Sequence, residues 1–326
     1  MPELAVSVVC STYQRAARLR SLLEALEAQT LDKDLFEVVI VANGCTDDTA
    51  AVLDEFATHG SIDLRPVTLG VNRGASGGRN AGWRAARAPF VAFTDDDCAP
   101  SPEWLEAGLA AAAETGAAIV VGRTQPNPAQ AQNEGVWSRT QTVTSRLGTT
   151  FFNTCNIFYR RADLEAVGGL DEEFRTKGGE DTDLGWSIEA LGAKAVFAER
   201  ALVFHDISKG SFRAALREAS TWVDIPRVKK KHRARVRPVL HHGVFWKPSH
   251  EYVLIALASI GAGAVVRNPI PLAGVLPWVY YRLRKNPVWR RDKAKRIAHL
   301  PHAFVLDTVE MTTMVRGSVR HKTLVL

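Results

Sequence analysis

Over the first 120 residues, short β-branched runs alternate with longer stretches of helical apolar spacing, and this pattern limits the folding of the chain more than any other. The runs "AVSVVC" (5–10), "FEVVIV" (36–41), "IDLRPVT" (62–68) and "FVAFT" (90–94) read as strands. Between them, 18–29, 47–58 and 75–87 read as helices by apolar spacing and by Ala, Leu and Glu content. Strand, helix, strand at this spacing means βαβ units, hence an α/β fold with a largely parallel sheet and helices on both faces. Ligands of such sheets sit beyond the carboxyl ends of the strands. Three polar clusters fall there: "STYQR", "NGCTDD" and "TDDD". Any strand end needs a polar turn, so their coincidence, rather than any one of them, points to a nucleotide or phosphate site.

Beyond residue 100 the pattern continues with a helix at 102–115, a strand "AAIVVGR" (117–123) and a Gln-, Asn- and Pro-rich loop (124–134). "GGEDTDLGWSIEALG" (178–192) opens with two glycines, then places Leu184, Ile188 and Leu191 at helical spacing. Glu180, Asp181 and Asp183 thus fall in a first helical turn, where the helix dipole favours carboxylates. "AKAVFAERALVFH" is strand material ending at His205. The composition then changes, and a boundary is expected near residue 207. Residues 1–206 carry 18 Lys and Arg against 29 Asp and Glu, or −11, and residues 207–326 carry 23 against 6, or +17. An acidic body with a basic tail implies an anionic surface as the tail's partner.

The bulk properties exclude several classes. In 326 residues, 46% hydrophobic and 23% charged, there is material for a sizeable core and no sign of disorder. Cys10, Cys45, Cys98 and Cys155 form no CxxC pair, so neither a zinc knuckle nor a disulfide framework is indicated, and a reducing, cytosolic setting is expected. "MPELAVSVVCSTYQ" has no basic segment leading a long apolar one, so no signal peptide is expected. No apolar run reaches the ~20 residues of a simple span. The nearest are 252–266 and 270–281, broken by Arg267-Asn268-Pro269.

The chemistry concentrates at two places. Asp95, Asp96 and Asp97 end an apolar strand, where three carboxylates repel unless something positive sits among them. A turn there lets Asp95 and Asp97 converge on one cation, and hard oxygen ligands suit Mg²⁺ or Mn²⁺ with phosphate completing the sphere. His205, at another strand end, is a further candidate ligand. At the second place, a carboxylate of Glu180-Asp181 on a rigid helix start suits a general base. Acidic turns, surface histidines and helix caps account for the same residues without any ligand.

Taken together, "VSVVCSTYQRAARLRSLLEAL", "VIVANGCTDDTAAVL", "NRGASGGRNAGWRAARAPFVAFTDDDCAP", "NIFYRRADLEAVGGLDEEF" and "GGEDTDLGWSIEALG" follow one another in an order that resembles the family 2 glycosyltransferases. The resemblance covers roughly residues 5–206. It implies an inverting enzyme of the GT-A fold: a mixed, mainly parallel sheet flanked by helices, with a nucleotide-sugar-binding half (1–97), an acceptor-binding half (98–206) and here a mainly helical extension (207–326). It implies that Thr12, Tyr13 and Arg15 line the base pocket with Asn43 and Gly44, that Arg79 lies near the nucleotide, and that Asp95 and Asp96 face the donor. It further implies Asp95, Asp97 and His205 as ligands of Mn²⁺ or Mg²⁺, Asp181 as catalytic base, and Glu180, Trp186 and Asn156 on the acceptor side. One departure is Ala42, where the family usually places an Asp that can accept from a uracil N–H, so the base is open. The QxxRW motif of processive synthases is also absent, which favours addition of a single sugar.

The tail holds seven Lys or Arg within 227–237 and eight within 282–296. No nucleic-acid-binding signature accompanies them. The paired apolar runs between the blocks, with Trp222, Trp246, Trp278, Tyr280, Tyr281 and Trp289, instead suit in-plane or re-entrant helices at an anionic membrane surface. They suit core helices packed within the protein as well. The expected function is transfer of one sugar to a glycan acceptor, lipid-linked, at the inner face of the cell membrane. The alternatives are a soluble enzyme acting on a small molecule or protein, and an inactive sugar-nucleotide-binding scaffold. A nucleotidyltransferase is disfavoured because "STYQRAARL" lacks the glycines of a phosphate loop.

Overall fold

The computed structural model describes residues 3–144, 152–176, 178–285 and 297–326. The chain divides into two units. One comprises 1–133, 139–175 and 180–208, the other 134–138, 176–179 and 209–326.

In the first unit, strands β1 (Val6–Thr12), β2 (Phe36–Asn43), β3 (Asp63–Leu69) and β4 (Phe90–Thr94) alternate with helices α1 (Ala16–Glu27), α2 (Thr49–His59) and α3 (Gly74–Ala85). Then come β5 (Cys98–Pro100), α4 (Trp104–Thr115), β6 (Ile119–Pro126), β7 (Asn156–Arg160), α5 (Arg161–Val167), α6 (Glu180–Glu189) and β8 (Ala195–His205). They form one eight-stranded sheet in the order β3-β2-β1-β4-β7-β6-β8-β5. β3, β2, β1 and β4 are parallel, β7 runs antiparallel to β4 and β6, and β5 runs antiparallel to β8.

Burial follows from the sheet's two covered faces. β2 is buried at all eight positions, as a central parallel strand must be. Along β1, Val6, Val8 and Cys10 join one core with Leu19, Leu22, Leu23 and Leu26 of α1, while Val9 joins the other with Trp83 of α3. Each fully buried Leu of α1 contributes roughly 1.5–3 kcal/mol. β3 lies at the edge, half exposed, where a proline such as Pro66 is tolerated. α6 ends at Glu189, so Leu191 falls beyond the helix and is exposed, correcting its expected place on the buried stripe.

The second unit is helical: α7 (Phe212–Ala219), α8 (Ile225–Lys231), α9 (Arg233–Val236), α10 (Pro248–Val266), α11 (Leu276–Lys285) and α12 (Leu300–His321). Val253, Trp278, Ala303 and Met311 form its core. Trp278, expected at a membrane interface, is instead buried and donates its indole N–H to Asp307 at 2.9 Å, because an indole brings large apolar area together with one satisfiable donor. The apolar run at 252–266 belongs to a 19-residue helix, which by length and composition alone is long enough to cross a membrane. The sequence reading as too short for a span therefore underestimates it, because Pro248–Glu251 supply an extra first turn. Of the second basic block, residues 286–296, with Trp289, lie outside the described residues.

Candidate active site

The first two polar clusters are tied together by their own side chains. After β1 the chain turns at Gln14, which has φ of 57°, and the Gln14 amide donates to Thr46 Oγ1 and accepts from the backbone N–H of Thr46 and of Asp47. Asp47 in turn accepts the Ala16 amide at the start of α1 and the hydroxyl of Thr49 at the start of α2. Asn43 is buried, with its amide donating to Gly74 O at 2.9 Å and accepting from Arg73 N at 2.8 Å. Gly44 has φ of +76°, and a Cβ there would lie 2.4 Å from Asn72 N, so only glycine fits. Asn43 and Gly44 therefore shape the loop that leads into α3. Tyr13 stands 48% exposed on the first loop, and Ala42 is buried at the end of β2.

The sequence reading assigns the counter-charge of the acidic trio to a divalent cation, but the structure supplies three guanidinium groups. Arg79 of α3 donates to Asp95 Oδ1 at 2.6 Å. Arg15 donates to Asp96 Oδ1 at 2.7 Å while the buried Thr12 hydroxyl donates to Asp96 Oδ2 at 2.7 Å. Arg18 donates to Asp97 Oδ2 at 3.0 Å, with Arg15 at 3.3 Å from the same oxygen. Burial pushes the Asp96 carboxyl up, against the pull of Arg15 and Thr12. Burial also works against the charge of Arg79, yet Asp95, then Glu180 and Asp181, hold it firmly protonated.

One pairing is left open for a cation. His205 Nδ1 faces the Asp206 carbonyl at 3.0 Å, and since a carbonyl only accepts, this nitrogen carries the proton. The other ring nitrogen, Nε2, lies 3.5 Å from Asp97 Oδ1. A proton or a metal ion could sit between the two. Cys98 belongs to the same cluster, but burial raises its thiol well above the ordinary range and it donates to the Cys155 carbonyl. The donor set is thus one carboxylate oxygen and one imidazole, which suits Mn²⁺ or Mg²⁺ completed by phosphate oxygens.

Asp181 sits in the first turn of α6, where its Oδ1 accepts from Thr182 N at 2.7 Å. Burial, and then the neighbouring Glu180 charge, raise its pKa to about 7, although Thr182 and Arg79 pull the other way. A carboxylate so placed can take a proton near neutral pH. Because Arg79 feels Asp95, Glu180 and Asp181 together, the acid that follows β4 and the first acids of α6 belong to one electrostatic site. Trp186, on α6, is half-buried and packs against the core. Asn156, expected on the acceptor side, is 1% exposed and its amide is fully engaged with Trp104 Nε1, Arg123 O and Ala201 O. It joins β7, β6, β8 and α4 in the core rather than facing an acceptor. Arg18 is the residue the sequence reading missed. Its signal was available, because Arg15 and Arg18 are three apart and so share a face of α1's first turn.

The profile of "Glycosyl transferase family 2" matches residues 7–168. Among curated proteins, the chain is similar to the glycosyltransferase AglE of Haloferax volcanii, 27% identical over 67% of this chain and 74% of that one. It is also 30% identical to the validoxylamine A glucosyltransferase of Streptomyces hygroscopicus subsp. jinggangensis over 57% of this chain, spanning only about half (52%) of that relative's length. Among solved structures it is similar to the mannosyltransferase PcManGT from Pyrobaculum calidifontis in complex with GDP-Man and Mn²⁺ (TM-score 0.62, 19% identity, 99% of this chain and 88% of that one). A second is S. aureus TarS 1-349 in complex with UDP-GlcNAc (TM-score 0.57, 19% identity, 98% and 93%).

Proposed function

This chain belongs to the family 2 glycosyltransferases and has the GT-A fold, and from that premise we propose that it is a divalent-metal-dependent, inverting enzyme that moves one sugar from a nucleotide-sugar to a hydroxyl of a lipid-linked glycan. The observation that carries the reading is Asp181, a carboxylate raised to about 7 and electrostatically linked through Arg79 to the acidic strand end.

In this reading Asp181 takes the proton of the acceptor hydroxyl as that oxygen attacks the anomeric carbon from the face opposite the leaving diphosphate. Arg15, Arg18 and Arg79 turn from their carboxylates toward phosphate oxygens, which guanidinium forks match well. Asp97 and His205 would hold Mn²⁺ or Mg²⁺, which when bound would supply Lewis-acid neutralisation of the diphosphate. Asp96 keeps Thr12 in register beneath the donor. Glu180 raises the base, and Trp186 and Tyr13 offer apolar faces to the acceptor and the nucleoside base.

The acceptor assignment is supported by the second unit. Lys230, Arg233 and Arg237 are exposed on and just after α8 and α9, and α10 exposes Leu254, Ile255, Leu257 and Ile260. Cations and apolar side chains together suit an anionic lipid surface, which would place the protein on the cytoplasmic leaflet. The donor is tested by a thermal-shift screen of UDP, GDP, ADP and CDP with Mn²⁺. A ligand that binds only the folded chain raises the melting temperature. One nucleoside diphosphate is expected to stand out, and no shift with any of them overturns the donor assignment.

A further inference from the structure

We infer that the helical unit carries a transition-metal site of its own, formed by His241, His242 and Glu251 and suited to Zn²⁺. His241 Nε2 lies 2.7 Å and His242 Nδ1 3.1 Å from the same oxygen, Glu251 Oε2. The three ligand atoms lie within 4.8 Å of one another. Donor atoms about 2.0–2.2 Å from a tetrahedral ion stand roughly 3.3–3.5 Å apart. Opening the His241–Glu251 approach by roughly 0.6–0.8 Å, with the two ring nitrogens brought to the same spacing, admits the ion. Two imidazoles and one carboxylate, leaving a position for water, are a donor set that Zn²⁺ favours over Mg²⁺ or Ca²⁺.

Consecutive histidines reach one carboxylate only because the backbone bends to allow it. His242 adopts φ of 51°, a left-handed conformation unfavourable for a residue with a side chain. The imidazole rings consequently lie 4.0 Å apart, tilted by 31°, both directed at Glu251 in the first turn of α10. The turn that carries them is held on several sides. His241 and Phe245 exchange backbone hydrogen bonds of 2.9 Å, and Leu326 bonds both Val244 O and Trp246 N. Lys229 spends its ammonium on the carbonyls of Gly243 and Leu324 rather than on Glu251. A strained residue on a braced turn, aiming a ligand, is the arrangement expected of a preorganised site.

A second cluster in the same unit lacks this property. His250, Asp307 and Glu310 also converge, but Lys247 and Arg282 already neutralise the two carboxylates. At Glu251 the partners are imidazoles, which a metal can use directly. Bound there, the ion would tie the 241–245 turn to the start of the apolar helix α10.

The test uses the full chain carrying His205→Ala, which removes the Asp97–His205 pair from the count. Titration with Co²⁺ as a visible-absorbing stand-in for Zn²⁺ is expected to show one equivalent in tetrahedral geometry. Adding His242→Asn, which tolerates the left-handed backbone, or separately Glu251→Gln, is expected to weaken uptake at least tenfold with an unchanged circular dichroism spectrum. No Co²⁺ uptake by the His205→Ala chain overturns the site, and so does uptake that both further substitutions leave as it was. Donor binding by the unsubstituted chain is read separately in the thermal-shift screen, so the two conclusions fail independently.

Discussion

Both units are built around carboxylates paired with cations, but they keep those pairs at different depths. In the helical unit Asp224, Asp307 and Glu310 are buried. Asp307 is bound by Arg282 and Trp278, Glu310 by Lys247 and His250, and Asp224 by His321 and Thr176. In the sheet unit Asp97 lies at a strand end with arginines whose side chains reach solvent, Arg15 being 40% and Arg18 34% exposed, and Asp95 is itself 28% exposed beside a more buried Arg79. A buried pair cannot exchange partners without leaving a charge in a poor dielectric, so it serves packing. A half-exposed pair can give up its arginine to an incoming phosphate at little cost, so it serves a ligand. For Asp95 and Asp97, exposure thus marks acids able to change partners where residue type does not.

The strongest attempt to break this contrast is Asp181→Asn. Loss of the base is expected to lower transfer about 10²–10⁴-fold while nucleotide binding and melting temperature hold. In the parent chain the rate should fall as pH drops below about 7, because a base must be ionised to accept the proton and Asp181 titrates there. A substituted enzyme that keeps its rate, or a parent profile flat from pH 6 to 8, removes Asp181 from the chemistry. Asp307→Ala approaches the contrast from the other unit. It leaves Arg282 unpaired in the interior, so denaturant unfolding should show a loss of about 3–5 kcal/mol. Stability unchanged by that substitution would mean that buried pairs here are not structural. The smallest effect is expected at the surface. Neutralising Lys230, Arg233 and Arg237 together should weaken flotation with anionic liposomes roughly a hundredfold, at about 1 kcal/mol per charge, and leave transfer to a soluble acceptor unchanged. Equal flotation would favour a small-molecule or protein acceptor.

Much of the sheet unit is legible because its signals are local. The run "FVAFT" at 90–94 coincides with β4, and the stripe Leu19, Leu22, Leu23 and Leu26 places α1 to within two residues. β5 and β7 were not marked as strands. β5 is three residues long and β7 joins the sheet antiparallel, so both exist through pairing with distant strands rather than through their own periodicity. In the candidate site, Arg15, Arg79, Asp95, Asp97, Asp181 and His205 are found among charged partners, whereas Asn156 is spent in the core. An amide at a strand start reads alike whether it faces a cleft or bridges four elements.

By itself the sequence determined the alternation of strands and helices, the polar strand ends where the carboxylates gather, and the opposed charges of the two halves, because each depends on residues within one or two turns of one another. Only the tertiary structure decided which cation meets which carboxylate, that Trp278 lies inside and Leu191 outside, and that two adjacent histidines share Glu251. Those outcomes depend on contacts across tens of residues and on access to water, and no local pattern of residue types encodes either.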